Sequence, residues 1–182
     1  PEFVQYSSTM FPSNTNPPTG TEGIIAGDFD NDGHEDFFAP HATNGGRLYR
    51  NIGGHRYEDW TTSSGLDAAV FTGAIANAHS ASWVDYDGDG DLDLAVLSGD
   101  AQDHLSTLYL LHNDGGTFDH VALQGDTAFM GHSMLWADFD GDGDLDVIIP
   151  KTFPIPVGTP PADYYERYYV NQGDGTFIED AW

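Results

Sequence analysis

Three nine-residue stretches of the chain align without a gap, and few folds can accommodate them. They read Asp28-Phe-Asp-Asn-Asp-Gly-His-Glu-Asp36, Asp85-Tyr-Asp-Gly-Asp-Gly-Asp-Leu-Asp93 and Asp138-Phe-Asp-Gly-Asp-Gly-Asp-Leu-Asp146. Aspartate stands at positions 1, 3, 5 and 9 of each, and glycine at position 6. Alternate side chains turn inward around a small sphere, while the glycine permits the sharp reversal that returns position 9 to it. The backbone carbonyl of position 7 is the expected fifth donor. Hard oxygens in this number suit calcium, whereas magnesium prefers a tighter octahedral shell that keeps several waters. Four converging carboxylates without a cation repel one another by several kcal/mol at an effective dielectric of about 20.

The sequence therefore predicts three calcium sites. Their expected ligands are Asp28, Asp30, Asp32, His34 and Asp36; Asp85, Asp87, Asp89, Asp91 and Asp93; and Asp138, Asp140, Asp142, Asp144 and Asp146. An EF-hand opens the same way but needs a glutamate at position 12 and flanking helices. Position 12 here is Ala39, Val96 or Ile149, inside an apolar run, so that alternative fails. A merely solvated acidic turn would not recur threefold with the full pattern. Fifteen of the 30 acidic residues lie in the three windows. Three calcium ions would take the formal charge from −25 to −19.

The loops are part of a longer repeat. Their starts, at residues 28, 85 and 138, stand 57 and 53 residues apart. Each loop is followed by a short apolar run: Phe37-Phe38-Ala39, Leu94-Ala95-Val96-Leu97, Val147-Ile148-Ile149. Then come Leu48-Tyr-Arg-Asn51-Ile-Gly53 with Tyr57, Tyr109-Leu-Leu-His-Asn113-Asp-Gly115 with Phe118, and Tyr168-Tyr-Val-Asn171-Gln-Gly173 with Phe177. Short apolar runs bounded by Gly, Asp or Pro read as strands, and Asn-x-Gly and Asp-Gly supply hairpin turns. No window carries a sustained helical period. The fold class is thus all-β, with about four antiparallel strands per repeat, the pattern of β-propeller blades.

These residues resemble the FG-GAP/VCBS repeat, which builds the propellers of integrin α chains, several lectins and many large secreted bacterial proteins. The resemblance runs from about residue 20 to 180, and the Asp loops are its specific part. It implies calcium in the hairpin after the innermost strand of each blade. The Phe-Gly and Gly-Ala-Pro signatures are degraded here, with Phe38-Ala39-Pro40 the nearest match.

The chain is expected to form one propeller-type domain, 1–182, with repeats at about 9–59, 60–120 and 121–182. Residues 1–8 read as a spare outer strand, since Phe3-Val-Gln-Tyr6 resembles Tyr57-Glu-Asp-Trp60. A propeller needs four blades or more, so the ring is expected to be completed by self-association or by a longer parent chain. An acidic surface of this strength disfavours nucleic acid and anionic membrane as partners. No apolar stretch is long enough to span a bilayer. Cysteine is absent, and loops that fill near millimolar calcium point to an extracellular, secreted location.

Two strands carry further candidates. His79-Ser-Ala-Ser-Trp83 and His132-Ser-Met-Leu-Trp136 precede the second and third loops at one offset, with Glu22 and Ala26 at the matching places of the first repeat. His79, Trp83, His132 and Trp136 face the ring's central channel as ligand-binding candidates, or else serve packing. Tyr164 and Tyr165 offer stacking faces for a sugar. No nucleophile elbow, phosphate loop, dinucleotide fingerprint or zinc spacing occurs, so an enzyme is not expected. The expected function is calcium-stabilised recognition, of a glycan or a protein, seated in unequal loops near 39–47, 98–107 and 150–163. A purely structural or assembly segment of a larger secreted protein is the alternative, and a hydrolase the weakest reading.

Overall fold

The computed structural model describes residues 21, 23–41, 44–66, 75–100, 105–122, 130–152 and 166–180. The expected spare strand at 1–8, Glu22, and Tyr164 and Tyr165 lie outside them. No helix occurs among the described residues, and none is long and apolar enough to cross a membrane.

Three four-stranded antiparallel sheets repeat one plan. Blade 1 runs β1 (Ile25–Gly27), β2 (Asp36–His41), β3 (Gly45–Asn51) and β4 (Tyr57–Asp59). Blade 2 holds β5 (Ala78–Val84), β6 (Asp93–Asp100), β7 (Leu105–Asp114) and β8 (Thr117–Ala122). In the third repeat β9 (Met130–Gly131) precedes β10 (Leu135–Ala137), and β12 (Lys151–Thr152) follows β11 (Asp146–Ile149). Blade 3 is completed by β13 (Arg167–Asn171) and β14 (Phe177–Asp180). The register across each Asp loop is the same: Ala26 pairs Phe37, Trp83 pairs Leu94, and Trp136 pairs Val147. All four strands expected per repeat are present, and the ring is not closed.

The inner hairpins differ at one level. In blade 2 the pairing of β5 with β6 shifts register between Ala78 and Ser80, so His79 is the extra residue of a bulge. In blade 3 the hairpin divides there, and β9 pairs β12 separately, Gly131 with Lys151. Pro150 sits at that division, and a proline, having no N–H, cannot continue the ladder. The segments 39–47 and 98–107, expected as loops, are mostly strand. β2 pairs β3 out to His41 and Gly45, and β6 pairs β7 out to Asp100 and Leu105. The second spacer, the longer of the two, carries the longer paired stretch.

Alternation along the strands gives every blade two apolar faces. One junction core joins Phe29, Phe38 and Leu48 of blade 1 to Leu94, Val96, Leu111 and Phe118 of blade 2. The next joins Tyr86, Ala95, Leu97 and Leu110 of blade 2 to Val147, Ile149 and Tyr169 of blade 3. Ring packing repeats as well. Phe29 stacks on Trp83 at 6.3 Å and meets Phe118 at 5.9 Å, and Phe177 lies 6.1 Å from both Tyr86 and Trp136.

Candidate metal centres

Each Asp loop is tied by its own backbone before any ion is considered. The carboxylate at position 1 caps the turn: Asp28 accepts N–H bonds from Asp32 (3.0 Å) and Gly33 (2.8 Å), and Asp138 from Gly141 (2.7 Å) and Gly143 (3.2 Å). Asp85 accepts from Gly90 at 3.1 Å. Position 5 accepts from the N–H of position 7 in all three loops, at 2.9 to 3.0 Å. The chain is left-handed at position 6, with φ of 86°, 98° and 104° at Gly33, Gly90 and Gly143. It is also left-handed at position 4, where Asn31 (φ 55°) stands in for the glycine of the other two loops. Asparagine tolerates this region better than other non-glycine residues, which explains the one departure in sequence.

Position 9 is buried, with Asp36, Asp93 and Asp146 at most 1% exposed. Each of these carboxylates bridges two parts of its blade. Asp36 accepts from Phe29 N (3.2 Å) and Asn51 N (2.6 Å), and Asp93 from Tyr86 N (3.2 Å) and Asn113 N (2.7 Å). Asp146 accepts from Phe139 N (3.0 Å), Asn171 N (2.9 Å) and the Tyr168 hydroxyl (3.0 Å). Burial pushes Asp36 and Asp93 up to about 6, against the lowering effect of these N–H bonds, with neighbouring loop aspartates adding to the rise. Desolvation and the bond to Asp146 raise the Tyr168 phenol to about 12.

Among the described residues, ligand atoms converge within 4.8 Å in four triplets: Asp28, Asp30 and Asp32; Asp85, Asp87 and Asp93; Asp138, Asp140 and Asp146; and Asp87, Asp89 and His112. Oxygens sharing one calcium at about 2.3–2.6 Å must lie within roughly 5 Å of each other, so this spacing fits. Two of the oxygens are also orphaned. Among the described residues, Asp30 Oδ1 and Asp85 Oδ1 are buried with no hydrogen-bond partner, a costly state that a cation would relieve. The donor set thus fits a hard divalent ion. Asp36 and Asp142 stand in none of the triplets.

The residues at position 7 turn their side chains outward. The Asp91 carboxylate accepts from Asn31 Nδ2 (2.7 Å) and Gly115 N (3.0 Å), which ties loop 2 to loop 1 and to its own β7–β8 turn. Asp144 lies so close to Gly173 that a Cβ there would stand 2.5 Å from its Oδ2. His34 donates its backbone N–H to Asp32.

The recurring asparagine, read in sequence as a hairpin-turn residue, has a second duty at the site. Asn113 Nδ2 donates to Phe29 O (2.7 Å) and Leu92 O (2.9 Å), and Asn171 Nδ2 to Tyr86 O (2.7 Å) and Leu145 O (3.2 Å). Each therefore clasps the preceding blade's Asp loop at position 2 as well as its own. Among the described residues, Asn51 Nδ2 donates only within its own blade, to Glu35 O at 3.0 Å. The signal was in the sequence, in an asparagine two residues before glycine in every repeat, but its partner lies 84 or 85 residues away.

The channel candidates are brought together in part. The rings of His79 and His132 lie 5.6 Å apart, and His79 Nε2 stands 3.1 Å from Gly99 O. Trp83 and Trp136 instead pack in the junctions, each with a buried Nε1 that has no hydrogen-bond partner. Among known families, the FG-GAP-like repeat matches residues 28–96 and 85–149, which span all three Asp loops. No curated protein matches the chain.

Proposed function

The chain belongs to the FG-GAP-like repeat family, and from that premise we propose that it is a calcium-stabilised extracellular recognition module. The calcium is structural, one ion per Asp loop, and the module has no catalytic role. The observation that carries this reading is the pair of buried, unpartnered oxygens, Asp30 Oδ1 and Asp85 Oδ1, inside converging carboxylates. The loops join β1 to β2, β5 to β6 and β10 to β11, so an ion there clips a hairpin and holds the blades for whatever binds their rims. Glycan or protein recognition is supported by the family, whose repeats are typical of extracellular proteins. Thermal melting in calcium and in chelator tests the first part: an unchanged midpoint would remove calcium from the account. A glycan array in both conditions tests the second, and a blank array would count against a lectin.

A second reading, assembly with another blade-bearing surface, has its own support. Leu135, Phe139 and Ile178 are 57%, 40% and 57% exposed. All three lie on the face of blade 3 that has no neighbour among the described residues, and burying such a face is a usual reason for association. Light scattering distinguishes the two, since a clean monomer near 19.8 kDa would exclude self-assembly.

A further inference from the structure

The three loops share their carboxylates but not the side chain that stands over them. The residue just before the recurring asparagine is Arg50 in β3, His112 in β7 and Val170 in β13. Arg50 donates through Nε to Asp30 and through Nη2 to Asp32 Oδ2 at 3.0 Å. Its guanidinium is held from another side by Trp60, with Cζ 5.2 Å from the ring centroid. His112 Nε2 lies 3.2 Å from Asp87 Oδ2 and 3.6 Å from Asp89 Oδ2. Valine has no polar atom to offer loop 3.

We propose that Arg50 is a built-in counter-cation for loop 1, so that the chain's calcium sites are graded instead of equivalent. The proposal rests on the calcium reading above. Arginine keeps its charge at any accessible pH and offers a fixed fork of donors. Here that fork engages positions 3 and 5, two of the four carboxylates on which an ion would depend. A divalent ion entering loop 1 must break both ion pairs or remain a few ångströms from a fixed positive charge, and both routes weaken binding. The orphaned Asp30 Oδ1 shows that the guanidinium does not satisfy the loop completely, so the site is suppressed and not destroyed. Loop 3 has the opposite character. With no cation over it among the described residues, its carboxylates depend on the ion.

Calorimetric titration of the calcium-free full chain with calcium tests this, with far-UV circular dichroism of every variant as a check on folding. The wild-type protein is expected to show two tight sites and a third weaker by about 100-fold, the order set by one unit charge about 5 Å from a divalent ion at a solvent-like effective dielectric of about 50. Arg50→Gln is expected to bring the third site into the tight class. Val170→Arg, which recreates the arrangement over loop 3, is expected to remove one tight site. Three equal tight sites in the wild type, or an Arg50→Gln variant with unchanged stoichiometry, would overturn the proposal and leave the calcium reading standing. Absence of calcium binding in all three proteins would overturn both.

Discussion

Position 2 of the Asp loop is aromatic in every repeat, and its fate differs between the junctions and the end of the blade array. Phe29 and Tyr86 are buried, at 0% and 5% exposure, each covered by a tryptophan or phenylalanine of the next blade and clasped through its carbonyl by the next blade's asparagine. Phe139 holds the same place in loop 3, is 40% exposed, and among the described residues meets only the Tyr168 ring of its own blade, at 5.8 Å. The local sequence and backbone are alike, so the difference comes entirely from what packs alongside. A blade in this fold makes a complete loop but only half of a core, and the next blade supplies the other half.

Truncation should expose this contrast most strongly. Phe29→Ala is expected to cost about 3–5 kcal/mol of unfolding free energy, the usual range for a buried phenylalanine, and Phe139→Ala under about 1 kcal/mol. Urea or guanidinium melts of the two variants check it. A cost at Phe139 equal to that at Phe29 would show that this face is covered in solution and would favour assembly. Calcium removal acts on a comparable scale. At a free concentration a hundred times the dissociation constant, each ion that binds only the folded chain adds about 2.7 kcal/mol, so loss of the two tight ions should lower the melting midpoint in chelator by about 10–20 °C.

The asparagine clasp is expected to be smaller. Asn113→Ala leaves the buried Phe29 carbonyl without its donor and should cost about 1–3 kcal/mol, while Asn51→Ala, which breaks no junction bond, should cost less. Equal costs at the two would remove the clasp as the source of the difference. The smallest effect is that of pH on the calcium-free protein. Asp36 and Asp93 have folded-state values raised from 3.8 to about 6, so the folded state holds their protons more tightly than the unfolded one. Their contribution is full below pH 3.8 and is lost as pH rises through 6. The calcium-free protein should therefore melt higher at pH 5 than at pH 7.5, and Asp93→Asn should flatten that slope.

Much of this was legible in the residues. Loop positions, the four strands of each repeat and the all-β class followed from spacings that recur three times, and spacing is what a single sequence displays best. The end of each hairpin was not legible. Ser98, Gly99 and Asp100 read as loop because they are small or polar, yet β7 continues beside them and their backbone groups pair. Pairing partners on a second strand override local propensity. The second duty of Asp91, which joins loop 1 to loop 2 through Asn31, depends on how two blades sit together, and no periodicity within one repeat encodes that. Arg50 was missed for a related reason: it stands 18 to 20 residues from the carboxylates it pairs with, on a strand otherwise read only for its apolar alternation.

The clasping asparagines also give the structure a direction in time. Each one reaches backward, from a later blade to the loop of the blade before it, across 84 or 85 residues of chain. On a ribosome, where the N-terminal part emerges first, the loop of blade 1 is synthesised well before the strand that will fasten it. During that interval Phe29 has no cover, and its closure must wait for a contact of high sequence separation, the kind that makes β-rich chains slow to fold. Maturation of this protein should therefore proceed as a trailing wave, with each blade finished only by the arrival of its successor.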